Sequence, residues 1–274
     1  MYFCRVGTVK NAKKLKVPSL QLLRIVLTNF DKNQEGYLMQ NIHSNIIATF
    51  NLMETIPEIH PTAYIHPLAA VIGNVHLGKD VMVAPAASVR GDEGQPIWVG
   101  DNVNVQDGVV VHALETHVDG ELVRESVVEV EGRFYGVYIS DHVSLAHQCQ
   151  VHGPAKIGAN TFIGMQALVF KAIIGSHCVL EPKALVMGVN VPDGRYIPAG
   201  AVITTQEAAD NLPWVTADYP LRNLNHAVVN VNVQLAHGYQ EKTITEIPYS
   251  EKWSFQNYTP TQSDYVMVES CLLP

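Results

Sequence analysis

Cysteine is scarce in this chain and never paired. Cys4, Cys149, Cys178 and Cys271 are scattered over 274 residues with no CxxC spacing, which argues against a disulfide framework and a thiolate zinc site. Reduced thiols are expected. Basic charge is also short: 18 Lys and Arg face 26 Asp and Glu, a formal net charge of −8. That acidic balance argues against a general nucleic-acid or membrane-surface role, which rests on clustered Lys and Arg, so the expected partners are small molecules. No apolar run reaches the roughly 20 residues that span a bilayer. A basic run at 10–16 followed by an apolar stretch at 17–27 imitates a secretory leader. Arg24 interrupts it, and no small-residue cleavage site precedes the polar stretch 29–35, so a cytoplasmic location is expected. With 47% hydrophobic against 16% charged residues, the chain has the composition of an ordinary globular protein.

What is present is a repeat. Aliphatic residues recur every six positions at Ile59, Ile65, Val71, Leu77, Val83 and Val89, then at Val99, Val105 and Val111. After a break the lattice resumes at Ile139, Leu145, Val151, Ile157, Ile163 and Val169. It slips by one to Ile174, Leu180 and Val186, and again to Val191, Ile197 and Ile203. Small side chains such as Ala69, Ala87, Cys149, Ala167, Cys178 and Ala184 follow four residues later, and glycine often follows directly, as at Gly78, Gly100, Gly158, Gly164 and Gly175. A helix repeats at 3.6 and a half-buried strand at 2, so a period of six predicts short strands wrapped in a three-sided coil of about seven turns. The two central cysteines fall on tight corners and are expected to be buried and inert.

The flanks differ. Thr205 to Asn211 predicts a short helix stopped by Pro213, and Asn223 to Tyr239 an amphipathic helix lying along the coil, with Gly238 at its end. The expected division is an N-terminal extension at 1–55, loosely packed or disordered, the coil at 56–204, a helical segment at 205–240 and a tail at 241–274. Met53 stands as a candidate start before the first repeat.

If residues 91–98 and 113–138 are loops ejected from the coil, Val89, Val111 and Val151 occupy one face in successive turns. Arg90, His112 and His152 then form an outward file, with the two histidines stacked. A metal needs a third donor, and His147 is the candidate, yet it falls on the adjacent face. A neighbouring copy can bring that face to the pair, and repeating the head-to-tail contact about a threefold axis closes a ring of three. Gln106, one turn before His147, enters the same site. Three neutral imidazoles leave Zn²⁺ with its charge and an open position, the arrangement of a catalytic centre. Such ligands suit Fe²⁺ or Co²⁺ as well. His60, His66, His76, His142 and His177 are read as surface decoration.

The runs NVQDGVVVHALET (104–116) and SLAHQCQVHGPAKIG (144–158) strongly resemble the γ-class carbonic anhydrases. So do SVRGDEG (88–94), FIGMQALVFKAIIG (162–175), PDGRYIPAG (192–200) and VNVQLAHGY (231–239), and the resemblance covers about residues 56–240. It implies a left-handed parallel β-helix, a homotrimer with interfacial active sites, and a Zn²⁺ or Fe²⁺ ion held by His112 and His152 of one subunit and His147 of the next. The implied reaction is the reversible hydration of CO₂ to bicarbonate by a metal-bound hydroxide. Gln106 is implied to position the hydroxide, Asn232 to orient substrate or bicarbonate, and Glu93 and Glu115 to pass the proton to solvent. Arg90, Asp92 and Asp107 are implied to form an ion-pair cluster beside the site. Both acids lie in the ejected loops, where a carboxylate reaches the site and bulk solvent. Two other readings use the same coil: a noncatalytic bicarbonate-binding module like the carboxysomal scaffold, and a hexapeptide acyltransferase with a histidine base.

Overall fold

The computed structural model describes residues 41–244. Three parallel sheets of eight, seven and seven strands form the faces of a parallel β-helix. The hexapeptide lattice is its core. On one face Val71 pairs with Val89, Val89 with Val111, Val111 with Val151, Val151 with Val169, Val169 with Val186 and Val186 with Ile203. The stacks Ile59 to Val191 and Ile65 to Ile197 run the same way on the other two faces. The interior stack, Leu77, Ile97, Ile139, Leu145, Ile157 and Ile163 among it, is fully buried. At roughly 25 cal/mol per Å² of apolar surface removed from water, this aliphatic column supplies the fold's main driving force.

The glycines after the aliphatic residues serve close approach rather than turning. A Cβ on Gly158 would stand 2.4 Å from the backbone nitrogen of Ser176, and one on Gly164 2.5 Å from the carbonyl oxygen of Leu180. The left-handed corners go instead to Asp80, Asn102, His142, Asn160 and His177, with φ between 55° and 58°. Asn, Asp and His tolerate that region better than most side chains. Cys149 and Cys178 are buried as expected. Burial pushes the Cys178 thiol up to about 11 and raises that of Cys149 further.

Two excursions leave the coil. One runs from the end of Ser88–Gly91 to Ile97–Val99. The other leaves after Val110–His112 and returns at Val137–Ile139, carrying the hairpins His117–Val118 with Glu121–Leu122 and Val128–Val130 with Arg133–Tyr135. Because both return in register, Val111 sits directly over Val151.

The eighth strand, Ile42–His43, stands off the lattice, with Ile42 opposite Val71. Its stretch, 41–55, falls in the extension expected to be loosely packed, and here the structure differs. Asn45 and Asn51 are buried, and Asn45 Oδ1 accepts from Thr55 N at 2.6 Å. Polar side-chain bonds to backbone hold this segment, which an apolar period cannot reveal. Residues 1–40 and 245–274, covering the rest of that extension and most of the tail, lie outside the described residues.

Helix α1, Gln206–Asp210, is capped by Thr205, whose hydroxyl accepts from Ala208 N at 3.2 Å. Helix α2, Leu224–Ile244, runs through Gly238 instead of ending there: the residue does not take the left-handed conformation of a helix stop, and a glycine inside a helix costs only about 1 kcal/mol. It lies along the face that carries Leu145: Ala236 packs on Met82 and Ala84, Tyr239 stacks on Tyr64, and Asn225 Nδ2 donates to the carbonyl of His142 at 2.8 Å. Among the described residues no helix is long and apolar enough to cross a membrane.

Candidate metal centre

Strand register sets the first half of the site. His112 pairs with His152 across adjacent turns, their rings 5.3 Å apart and edge to face. Arg90 completes the file, with Nη2 3.3 Å from His112 Nε2. The first excursion brings its acids to the same nitrogen: Asp92 Oδ1 lies 3.3 Å and Glu93 Oε1 3.4 Å from His112 Nε2. Burial pushes the Asp92 carboxyl up, but hydrogen bonds from His112 and Arg90 and the Arg90 charge outweigh it and hold the group below its ordinary range. The Nδ1 of His152 is 3.1 Å from the carbonyl of Gly153. A proton donated there leaves Nε2 with its lone pair.

The second half lies around the corner. His147 follows the strand Ser144–Leu145, is half-exposed, and sets Nδ1 3.1 Å from Asp107 Oδ2. This carboxylate-histidine pair again frees Nε2 for a cation. Gln106, Asp107, His147 and Asn232 line one groove between α2 and the coil. Within that groove Asn232 turns its amide back on its own helix, donating to Val228 O at 2.9 Å. Gln106 is held from behind: its Nε2 donates to Asn104 Oδ1 at 2.8 Å, and Asn104 Nδ2 donates to Ser144 Oγ at 2.9 Å. That chain leaves Gln106 Oε1 to accept.

The residues singled out in the sequence thus gather in two half-sites on two faces. Arg90, Asp92, Glu93, His112 and His152 form one, and Gln106, Asp107, His147 and Asn232 the other. Asp107 is therefore with His147, not with Arg90 and Asp92, inside one chain. Glu115 is exposed at the start of the second excursion. Among the described residues, no group of three His, Cys, Asp or Glu donors is arranged to hold a cation within one chain. The donor set still fits a divalent metal, since imidazoles with committed Nδ1 atoms beside carboxylates are metal-ligating chemistry.

Sequence reasoning missed Asn104, Ser144 and Thr116, all fully buried. The first two precede aliphatic lattice positions and read as outward polar residues. Their side chains bond to each other behind Gln106, on the face along which α2 lies.

No family model matches the chain. A carbonic anhydrase from Methanosarcina thermophila is 58% identical over 202 residues, 73% of this chain and 82% of its own length. The carboxysome assembly protein CcmM of a Nostoc species is 42% identical over 182 residues, 66% of this chain, which spans only 31% of that longer protein. Among solved structures, a hexapeptide transferase family protein from Anaplasma phagocytophilum aligns with a TM-score of 0.51 at 24% identity, over 68% of this chain and 93% of its own. That likeness bears on the fold alone, the left-handed β-helix. At that identity over most of both chains, this chain belongs to the γ-class carbonic anhydrases.

Proposed function

We propose that this protein catalyses the reversible hydration of CO₂ to bicarbonate and a proton, at sites formed between copies of the chain arranged as a ring of three. In this reading His112 and His152 of one subunit and His147 of the next hold one divalent cation, zinc, iron or cobalt. The observation that carries it is the division of donors: two paired imidazoles on one face, a third on the adjacent face, and tied Nδ1 atoms on both faces. A head-to-tail contact between those two faces, repeated about a threefold axis, closes without leaving an unmatched surface. When bound, the cation supplies Lewis acidity that makes hydroxide available from water near neutral pH.

The remaining steps belong to side chains. Gln106, with its amide nitrogen engaged by Asn104, presents Oε1 as an acceptor that orients the attacking oxygen. Asn232, released from its helix carbonyl, is in reach of the same groove to hold substrate or bicarbonate. Hydration releases one proton per turnover, and that proton must reach solvent before the next. Glu93, beside His112, takes it, and Glu115, exposed on the neighbouring loop, delivers it to buffer. Arg90 neutralises Asp92 and keeps its carboxylate ionised beside the histidine.

Stopped-flow CO₂ hydration, with metal content and sedimentation measured on the same sample before and after adding Zn²⁺ or Fe²⁺, tests this. Metal-dependent hydration well above the buffer rate by a trimer is the expected result. A fully metallated trimer without activity would move the protein to a bicarbonate-binding module, a reading favoured by the 42% identity to a carboxysome assembly protein. Coenzyme A binding without metal would move it to acyl transfer.

A further inference from the structure

The two acid-bearing loops are tied together by a residue that the proposed reaction does not itself use. Thr116, next to Glu115, is fully buried. Its backbone N–H donates to the carbonyl of Glu93 at 3.0 Å, and its hydroxyl reaches the same oxygen at 3.1 Å. The hydroxyl oxygen accepts from Gln95 N–H at 2.7 Å, with His117 Nδ1 at 3.2 Å. The loop closes tightly on this group: Gly94 has φ +108°, and a Cβ there would stand 2.2 Å from Thr116 Oγ1. From the other side, Asn51 Nδ2 donates to the carbonyl of Asp92 at 3.2 Å, and Asn74 Nδ2 to that of Gly94 at 3.1 Å.

We propose that Thr116 is a positioning residue for proton transfer, fixing the Glu93 backbone against that of Glu115, with Asn51 bracing the loop from the N-terminal segment. This deepens the hydration reading and rests on it. A proton moves between groups only within hydrogen-bond reach, directly or through one water, so a loop that wanders lowers the fraction of time the route is connected. CO₂ hydration itself precedes that step and does not depend on it. Loosening the clamp therefore slows turnover and spares the rate at low substrate.

The test uses the metal-loaded full chain with Thr116→Val, Thr116→Ser and Asn51→Ala. Turnover is measured over a range of buffer concentrations, together with metal content and amide hydrogen exchange over residues 91–97. Thr116→Val is expected to keep its metal and its kcat/KM within about twofold, while kcat in scarce buffer falls roughly tenfold, well inside what small misplacements cost. Added buffer restores kcat, the Gln95 amide exchanges faster, and Thr116→Ser restores both. Asn51→Ala moves the same quantities in the same direction, and carries the test if Thr116→Val does not fold. Faster Gln95 exchange with unchanged kcat in scarce buffer would make Thr116 purely structural. Equal losses in kcat and kcat/KM would assign it to the hydration step. Either result overturns the proposal alone, whereas a metallated wild-type protein without hydration removes the reading beneath it as well.

Discussion

An imidazole whose Nδ1 proton is already directed to an acceptor offers its Nε2 lone pair without any tautomeric cost. His147 and His152 are both in that state, through Asp107 and through the carbonyl of Gly153. His43 shares the arrangement, with Nδ1 2.7 Å from the carbonyl of Ser44, but the histidines read as surface decoration sit in other surroundings. His60 and His66 accept turn N–H groups through Nδ1, His76 stacks on Trp98 at 3.7 Å, and His142 and His177 occupy left-handed corners. The expected outcome for His147→Ala is loss of bound metal from an intact assembly and loss of hydration, read by elemental analysis and stopped flow. Full metal retention with activity would break the ligand assignment. For Glu115→Ala, metal content should stay at the wild-type level and turnover should drop only where buffer is scarce. An equal drop at high buffer would remove Glu115 from the proton route.

Elements are held by the closeness of successive turns and by polar ties between coil and helix. Gly158 faces the next turn's backbone, with its missing Cβ 2.4 Å from Ser176 N. Gly158→Ala should therefore cost about 1–3 kcal/mol in overpacking, read as a lower denaturant midpoint at unchanged slope. Helix α2 is tied to the coil by His237 Nε2 and Asp80 Oδ1 at 3.0 Å. Burial raises the Asp80 carboxyl, but hydrogen bonds from His237 and Thr62 and the His237 and His60 charges outweigh it, so the folded value lies below the ordinary one. A depressed carboxyl contributes stability that is present above the unfolded pKa, about 3.9, and is lost as pH falls through the folded value. Asp80→Asn should flatten the acid limb of stability below about pH 4, measured as denaturant midpoint against pH. An unchanged acid limb would show that this tie contributes nothing.

At the scale of the molecule, the division of donors between two faces makes a prediction that one chain cannot meet. His112→Ala and His147→Ala should each be inactive. Mixed rings, however, contain one junction where an intact His112 and His152 face an intact His147. Unfolding and refolding the two variants together in equal amounts should recover about a quarter of wild-type activity, from random assembly of rings of three. Separate refolding followed by mixing without exchange should recover none. Failure of co-refolding to restore any hydration, with rings formed, would rule out a shared site.

The coil was legible from Ile59 to Ile203 because each lattice residue fills an interior that only an aliphatic side chain of that size can fill. The pair His112 and His152 followed from that register, since a residue next to a lattice position must point outward. The segment 41–55 was not legible, because Asn45 and Asn51 hold it through side-chain hydrogen bonds to backbone that leave no period. Nor was the clamp at Thr116, a polar residue in a loop whose burial depends on two excursions meeting. By itself the sequence determined the repeat, the stacking of the two histidines and the family, because local spacing decides which way a side chain points. Only the tertiary structure decided that Asp107 sits with His147, that Asn104 and Ser144 are buried behind Gln106, and that the two acid-bearing loops are joined. Those contacts link residues about 20 to 40 positions apart, whose meeting depends on where the excursions and the helix come to rest.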